Sequence, residues 1–126
     1  GRFKTFAQKG AKAIIVGAGI TLHEALKAQD ELSIAVTVVD CYCIKPFDAS
    51  AFIRLVKAAR HVVVVEDHYK AGGVGEMILS VLHDTNVNVE HLCVSKMPHS
   101  GPAQRLMEDQ SIDAKAIVKT VKKMVK

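Results

Sequence analysis

Short apolar runs alternate with amphipathic segments along most of this chain. Apolar runs of this length, rich in valine and isoleucine, are typical of strands that are buried on both faces of a parallel sheet. The segments between the runs carry apolar residues at helical spacing, which predicts helices packed against the sheet. The predicted strands are Ala13–Gly17, Ile34–Asp40, His61–Glu66 and Val89–Val94.

Polar residues mark where the predicted helices begin. Thr21 and Glu24 have the spacing of a capping box, in which each side chain satisfies a backbone donor of the first turn. Asp48 and Asp113 precede two further amphipathic segments and are predicted to cap them. The predicted apolar faces are Leu22, Ala25 and Leu26; Phe52, Leu55, Val56 and Ala59; Val74, Met77, Ile78, Val81 and Leu82; and Ile117, Val121 and Met124.

Strands that alternate with helices predict an α/β fold with three layers, α/β/α, in a Rossmann-like arrangement. The sheet should be mostly parallel, with about five strands. A short segment, Arg2–Phe6, is followed by a turn signal and then by the first buried run, which predicts a hairpin and one antiparallel edge strand. We also expect a loop over Met97–Pro102 and a helical turn over Ala103–Met107.

Length and composition exclude several classes of protein. With 126 residues, 49% hydrophobic content and no tryptophan, the chain is predicted to form one domain over residues 1–126 with an aliphatic core. No apolar stretch approaches the roughly 20 residues of a membrane helix, and no signal peptide is apparent. The three cysteines lack the paired spacing of a zinc site and fit a reducing compartment. We therefore expect a soluble, cytoplasmic protein.

The net charge of +4 derives largely from lysines near the carboxyl end. These lysines alternate with an apolar helical face, so the simplest interpretation is a solvated outer face. No aromatic residue or arginine accompanies them to stack on bases or bind phosphates. We therefore expect neither nucleic acid nor membrane as a partner.

A glycine-containing turn after the first buried strand is similar to the start of a dinucleotide-binding fingerprint. The segment Val16–Leu22 reads VGAGITL, and Leu22 stands where the fingerprint needs its third glycine. Asp40 ends the next strand at about the interval expected for the ribose-binding acid. A nucleotide site therefore stays open beside the simpler interpretation that a tight strand-to-helix turn needs glycine.

The segment Val62–Glu76, VVVVEDHYKAGGVGE, places a histidine, two acids and a glycine cluster after a buried strand. His68 could act as a general base or a metal ligand, and Gly72–Gly75 could present N–H groups to an anion. Alternatively, the glycines allow a sharp turn while the polar side chains satisfy backbone groups or contact another subunit. No nucleophile or metal-ligand set accompanies His68, which favours the second interpretation.

The remaining candidates for chemistry are weaker. Ser100 lacks the G-x-S-x-G context that would expose a nucleophilic hydroxyl. The other histidines lack the HExxH spacing of a zinc site and are predicted to be structural. They are His23, His61, His83 and His91.

Several motifs together resemble the carboxyl-terminal domain of transketolase. The similar segments, in the order of that family, are Val16–Leu26, Ile44–Asp48, Val65–Tyr69, Gly72–Glu76 and Ser100–Pro102. The β subunit of 2-oxoacid dehydrogenases and deoxyxylulose-phosphate synthase share this domain over looser glycine patterns and are the alternative. A stand-alone regulatory module that binds a nucleotide or an anion is an alternative of another class.

The resemblance implies a transferase that moves a two-carbon ketol unit between sugar phosphates in the non-oxidative pentose phosphate pathway. In that family, thiamine diphosphate and Mg²⁺ or Ca²⁺ lie between two other domains at the interface of a homodimer. The GDG metal motif of those domains is absent here. We therefore expect no catalytic, cofactor or metal residue in this chain, and no activity without the amino-terminal and middle domains.

The resemblance also implies a role for the histidine-containing segment. Its residues are expected to form a structural loop or a dimer contact. They are Asp67, His68, Tyr69, Gly72, Gly73, Gly75 and Glu76.

Overall fold

A computed structural model describes residues 3–41, 48–69, 73–94, 105, 107, 108 and 110–125, with backbone only at 68, 69 and 94. The strands are β1 (Lys4–Phe6), β2 (Ala13–Gly17), β3 (Val36–Asp40), β4 (His61–Tyr69) and β5 (Asn88–Val94). The helices with described bounds are α1 (Ile20–Glu31), α2 (Ala49–Ala59), α3 (Val74–Leu82) and α4 (Ala114–Met124).

The strands form one sheet in the order β1-β3-β2-β4-β5. The pairs β2–β3, β2–β4 and β4–β5 are parallel, and β1 is antiparallel to β3. The predicted five-stranded, mostly parallel sheet with one antiparallel edge strand is therefore confirmed.

Helices cover both faces of the sheet because the buried strands are apolar on both sides. On one face, side chains such as Ile15, Val38 and Val63 pack against α1 and α4. On the other face, side chains such as Ile14 and Val64 pack against α2 and α3. The two separate clusters confirm the predicted α/β/α layers.

The predicted hairpin between the first two strands is wrong, because β1 pairs with β3 instead. Two glutamines stabilise this arrangement. The side-chain oxygen of Gln8 accepts from Val36 N–H at 2.8 Å. The amide of Gln29 donates to the carbonyl oxygens of Phe6 and Val36 at 2.8 and 2.9 Å. One glutamine just after β1 and one on α1 thus stabilise the position of β1 beside β3.

The predicted capping box is also wrong. The helix begins at Ile20, and its N-cap is Gly19, which has no side chain to cap it. Glu24 is buried and accepts instead from Ala114 N–H at 3.0 Å, at the start of α4. A glutamate on α1 therefore stabilises the amino terminus of a helix 90 residues away in sequence.

The two aspartate caps are confirmed. Asp48 accepts from Ala51 N–H at 3.0 Å, and Asp113 accepts from Ala116 N–H at 3.1 Å. The loop predicted at 97–102 lies outside the described residues, whereas Arg105 and Met107 of the predicted helical turn are helical. Within the described ranges, the helices are too short or too polar to cross a bilayer.

Candidate functional site

Strand β2 lies between β3 and β4 in the sheet. The chain passes from β2 to β3 on one side, and β4 lies on the other side of β2. In open α/β sheets, the point where strand order reverses is the usual place for a ligand, at the carboxyl ends of the strands. Two strand-to-helix connections meet at this point. One follows β2, and the other follows β4.

The connection after β4 is organised by a buried carboxylate. Glu66 is only 5% exposed, and it accepts two backbone hydrogen bonds from the first turn of α3. Val74 N–H donates to Oε1 at 2.8 Å, and Gly75 N–H donates to Oε2 at 2.7 Å. The negative charge thus lies against the positive end of a helix, where it is stabilised. We call this arrangement, with Gly73 and His91, the Glu66 junction.

His91 on β5 completes the Glu66 junction. Its Nε2–H donates to Oε2 of Glu66, and the His91 side chain is 7% exposed. Its Nδ1 is buried and makes no hydrogen bond with any residue that the structure describes. The carboxylate therefore joins β4, β5 and α3 in one buried network.

The glycines of the Glu66 junction make room for these side chains. A Cβ atom at Gly73 would overlap the carboxylate of Glu66, and one at Gly75 would overlap the ring of His91. Gly73 itself has φ −98° and ψ −171°, an extended conformation that any residue adopts. The requirement for glycine at this position is therefore steric and not conformational.

The connection after β2 closes with a neutral hydroxyl. Thr21 is fully buried, and its Oγ1 accepts from Ala18 N–H at 3.1 Å. The same oxygen lies 2.9 Å from the carbonyl oxygens of both Ala18 and Val65, to which its hydroxyl can donate. Gly19 has φ +60°, which favours glycine. We call this segment, Gly17–Thr21, the Gly19 turn.

The Gly19 turn differs from a dinucleotide-binding loop at two places. A Cβ atom at Gly17 would lie 3.1 Å from the backbone of Leu22, so this glycine allows close packing of strand and helix. Thr21 also links this turn to β4 through its contact with the carbonyl oxygen of Val65. Asp40 does end β3 beside Gly17, and its Oδ1 is buried without a hydrogen-bond partner in the described part of the chain.

The structure describes part of the predicted group of site residues. Asp67 and Glu76 are exposed, whereas Gly75 is buried. His68 and Tyr69 belong to β4, and Tyr69 pairs with Val94 after an irregularity in the strand. Gly72 and Ser100 lie outside the described residues. The residue that binds the amino terminus of α3 is Glu66, one position before the predicted group.

His91 was predicted to be structural, but its partner could not be identified from the sequence. Glu66 and His91 are 25 residues apart. Side chains alternate along a strand, so Glu66 lies on the same face of the sheet as Val64, and His91 lies on the same face as Val89. Val64 and Val89 belong to one apolar cluster, so Glu66 and His91 share that face. The β4–β5 register, in which Val64 pairs with His91, would have identified the contact between Glu66 and His91. That register is known only from the folded sheet.

The described residues do not fit thiamine diphosphate with its metal ion. They contain no group of three or more histidine, cysteine or acidic side chains placed to hold a metal. The amino terminus of α3 already binds Glu66, and Thr21 links the Gly19 turn to β4. A diphosphate at the amino terminus of α3 would have to displace the buried carboxylate of Glu66.

Comparisons with known proteins agree with this fold. A family model described as "Transketolase, C-terminal domain" matches residues 4–117. Transketolase-like protein 2 of Mus musculus is 38% identical over 131 residues, which cover 99% of this chain and 21% of that protein. Transketolase of Mus musculus is 38% identical over 122 residues, which cover 93% of this chain and 20% of that protein. This chain therefore spans about a fifth of the length of these relatives.

A solved structure, "Split gene transketolase, inactive beta4 tetramer", matches with a TM-score of 0.85 at 28% identity. The match covers 95% of this chain and 41% of that one. Fold, motifs and relatives agree, and the chain belongs to the transketolase C-terminal domain family.

Proposed function

We propose that this chain, over residues 1–126, is the carboxyl-terminal domain of a cytoplasmic transketolase whose chemistry takes place in other domains. The complete enzyme transfers a two-carbon ketol unit from a ketose phosphate to an aldose phosphate in the non-oxidative pentose phosphate pathway. The domain supports the structure of the enzyme and its homodimer, and it has no activity alone.

The Glu66 junction carries this proposal. The buried acid beside the histidine-containing segment is already bound to two backbone N–H groups and to His91. A general base needs a proton within reach on a substrate, but this carboxylate is enclosed by its own chain. Its geometry supports a structural role, in which Glu66 fixes the start of α3.

The exposed residues around the Glu66 junction support a contact with another subunit. Asp67 and Glu76 lie on the surface, and Leu79 on α3 is 40% exposed. Leu79 and Glu76 lie one helical turn apart on α3, so another subunit can cover both side chains together. The split-gene relative is described as an inactive tetramer of one type of chain, which supports both self-association and inactivity of a partial enzyme.

Thiamine diphosphate and Mg²⁺ or Ca²⁺ would be bound by the amino-terminal and middle domains. The poor fit of the described residues to a metal and a diphosphate supports this division. In the complete enzyme the cofactor supplies the carbanion chemistry of ketol transfer. The residues described here would hold the neighbouring domains in position.

A domain exchange tests the proposal. The matching fifth of Mus musculus transketolase is replaced by this chain, and the turnover of sugar phosphates and the molecular mass are measured. We expect a dimer with turnover, whereas the 126-residue chain alone should show neither turnover nor binding of thiamine diphosphate. Turnover by the isolated chain, or a folded chimera without turnover, would contradict the proposal.

The carboxylate of Asp40 supports a second candidate function, that of a nucleotide- or anion-binding module. Its buried Oδ1 has no partner among the described residues and lies where a dinucleotide fold binds ribose. Calorimetric titration with NAD, adenine nucleotides and thiamine diphosphate separates the candidates. A saturable sub-millimolar nucleotide isotherm that Asp40→Asn abolishes would support the module, and the absence of heat would exclude it.

A further inference from the structure

The sheet ends at β5, whose outer edge has no partner strand among the described residues. β5 contains seven residues and pairs on its inner side with β4. The strand at the opposite end, β1, has only three residues. A long edge strand presents a row of N–H and C=O groups to which an extended segment can pair. β5 is therefore the edge better able to accept an added strand.

A groove of about 530 Å³ lies beside this edge, between β5 and α4. Leu92 and Met124 line it and pack against the core, so part of its surface is apolar. Lys119 and Lys123, one helical turn apart, also line it and are exposed. The groove thus combines apolar contacts, charge and a strand edge.

The charge of α4 is not compensated by its surroundings. The helix carries four lysines and no acidic residue. Among the residues that the structure describes, none of these lysines forms an ion pair. Among the described residues that line the groove, Glu90 on β5 is acidic. The potential beside α4 therefore favours an acidic partner, except directly against Glu90.

We propose that the groove between β5 and α4 binds an extended acidic segment of a partner protein. The segment adds a strand to β5 and places carboxylates beside Lys119 and Lys123. Since side chains alternate along a strand, its apolar residues can contact Leu92 and Met124. Leu92 packs on the opposite face of the sheet from the Glu66 junction, so the face of the groove that carries the two lysines differs from the face of the proposed dimer contact.

A synthetic peptide that alternates glutamate with valine, blocked at both ends, tests this surface. Binding to the 126-residue chain is measured by fluorescence anisotropy, together with hydrogen exchange of the β5 amides. We expect saturable binding and slower exchange in β5. The same peptide with lysine in place of glutamate should not bind.

Matched variants separate the groove from general charge attraction. The double variant Lys119→Gln, Lys123→Gln should weaken peptide binding roughly fivefold or more. The double variant Lys115→Gln, Lys122→Gln removes the same charge from exposed positions of the same helix outside the groove, and it should change binding less than about twofold. Glu90→Gln should strengthen binding, because it removes repulsion of the peptide.

Three results would overturn the proposal. The first is the absence of saturable binding to the unmodified chain. The second is an equal loss in the two double variants, which would indicate attraction by net charge alone. The third is tighter binding of oligothymidylate through Lys119 and Lys123, which would identify a nucleic-acid surface instead.

Discussion

The Gly19 turn and the Glu66 junction occupy equivalent places, each between a central parallel strand and the helix that follows it. The Gly19 turn is closed by a neutral threonine hydroxyl and a glycine with positive φ. The Glu66 junction is closed by a buried carboxylate, a histidine from another strand and two glycines that lack space for a side chain. The Glu66 junction thus satisfies the first N–H groups of its helix with a side chain, whereas the Gly19 turn binds the backbone that precedes its helix to Thr21 and to β4.

The difference lies in the charge of each group and in the number of elements that it joins. Thr21 is neutral and bonds to Ala18, three residues away, and to Val65 on β4, 44 residues away. Glu66 joins residues 8, 9 and 25 positions away on two other elements. A buried carboxylate that binds two other elements leaves two backbone N–H groups and a histidine without their acceptor when it is removed, which costs more than the loss of a neutral hydroxyl. We therefore expect mutations at the Glu66 junction to be the more damaging.

Glu66→Ala tests this difference most strongly. It leaves two backbone N–H groups and His91 without their acceptor in a buried environment, so the free energy of unfolding should fall by about 3–5 kcal/mol. Urea denaturation measures the loss. The exposed neighbour provides the control, since Asp67→Ala should change stability by less than about 0.5 kcal/mol. Similar losses in the two variants would remove the distinction on which the comparison rests.

Gly75→Ala tests the steric part of the Glu66 junction. The added methyl overlaps the His91 ring, and such overpacking should cost about 2–3 kcal/mol. The double variant with His91→Ala removes the overlap, so its total loss should be smaller than the sum of the two single losses. Additive losses in a double-mutant cycle would show that the glycine serves another purpose.

Contacts between residues that are close in sequence could be predicted from the sequence, and contacts between residues that are distant in sequence could not. Asp48 and Asp113 cap helices through N–H groups three residues away, so spacing alone identifies them. The apolar runs likewise identify the strands. Glu24 has the spacing of a capping box, yet it binds a helix end 90 residues away, because burial against α4 outweighs the local pattern.

The candidate site could likewise be predicted only in part from the sequence. The glycines and the acid of the Glu66 junction are visible in the motif, and the resemblance identified the family. The partner of Glu66 depends on the register of β5 against β4, which no local pattern encodes. The position of β1 depends in the same way on side chains outside that strand, Gln8 and Gln29.

Thr21→Val tests the Gly19 turn and should have a smaller effect. It removes one buried hydroxyl and leaves Ala18 N–H unpaired, which should cost about 1–2 kcal/mol in thermal or urea unfolding. Thr120→Val is the matched control, because that hydroxyl donates to Ala116 within its own helix, 2.8 Å away, and is only half-buried. Its loss should be less than about 0.5 kcal/mol. A loss at Thr21 as large as that of Glu66→Ala would make the two connections equivalent.

His68→Ala should have the smallest effect on chemistry, although His68 follows Glu66 by only two residues. If the domain acts through structure, then a histidine in this segment influences turnover only by way of subunit contacts. We expect the chimera with the transketolase of Mus musculus to keep kcat within about tenfold after this substitution. His91→Ala in the same chimera should instead lower the unfolding temperature, because His91 belongs to the buried network. Steady-state kinetics at a verified dimer mass distinguishes the two histidines. A loss of kcat by several orders of magnitude in an intact His68→Ala dimer would place a catalytic residue in this domain and contradict the structural interpretation of the whole segment.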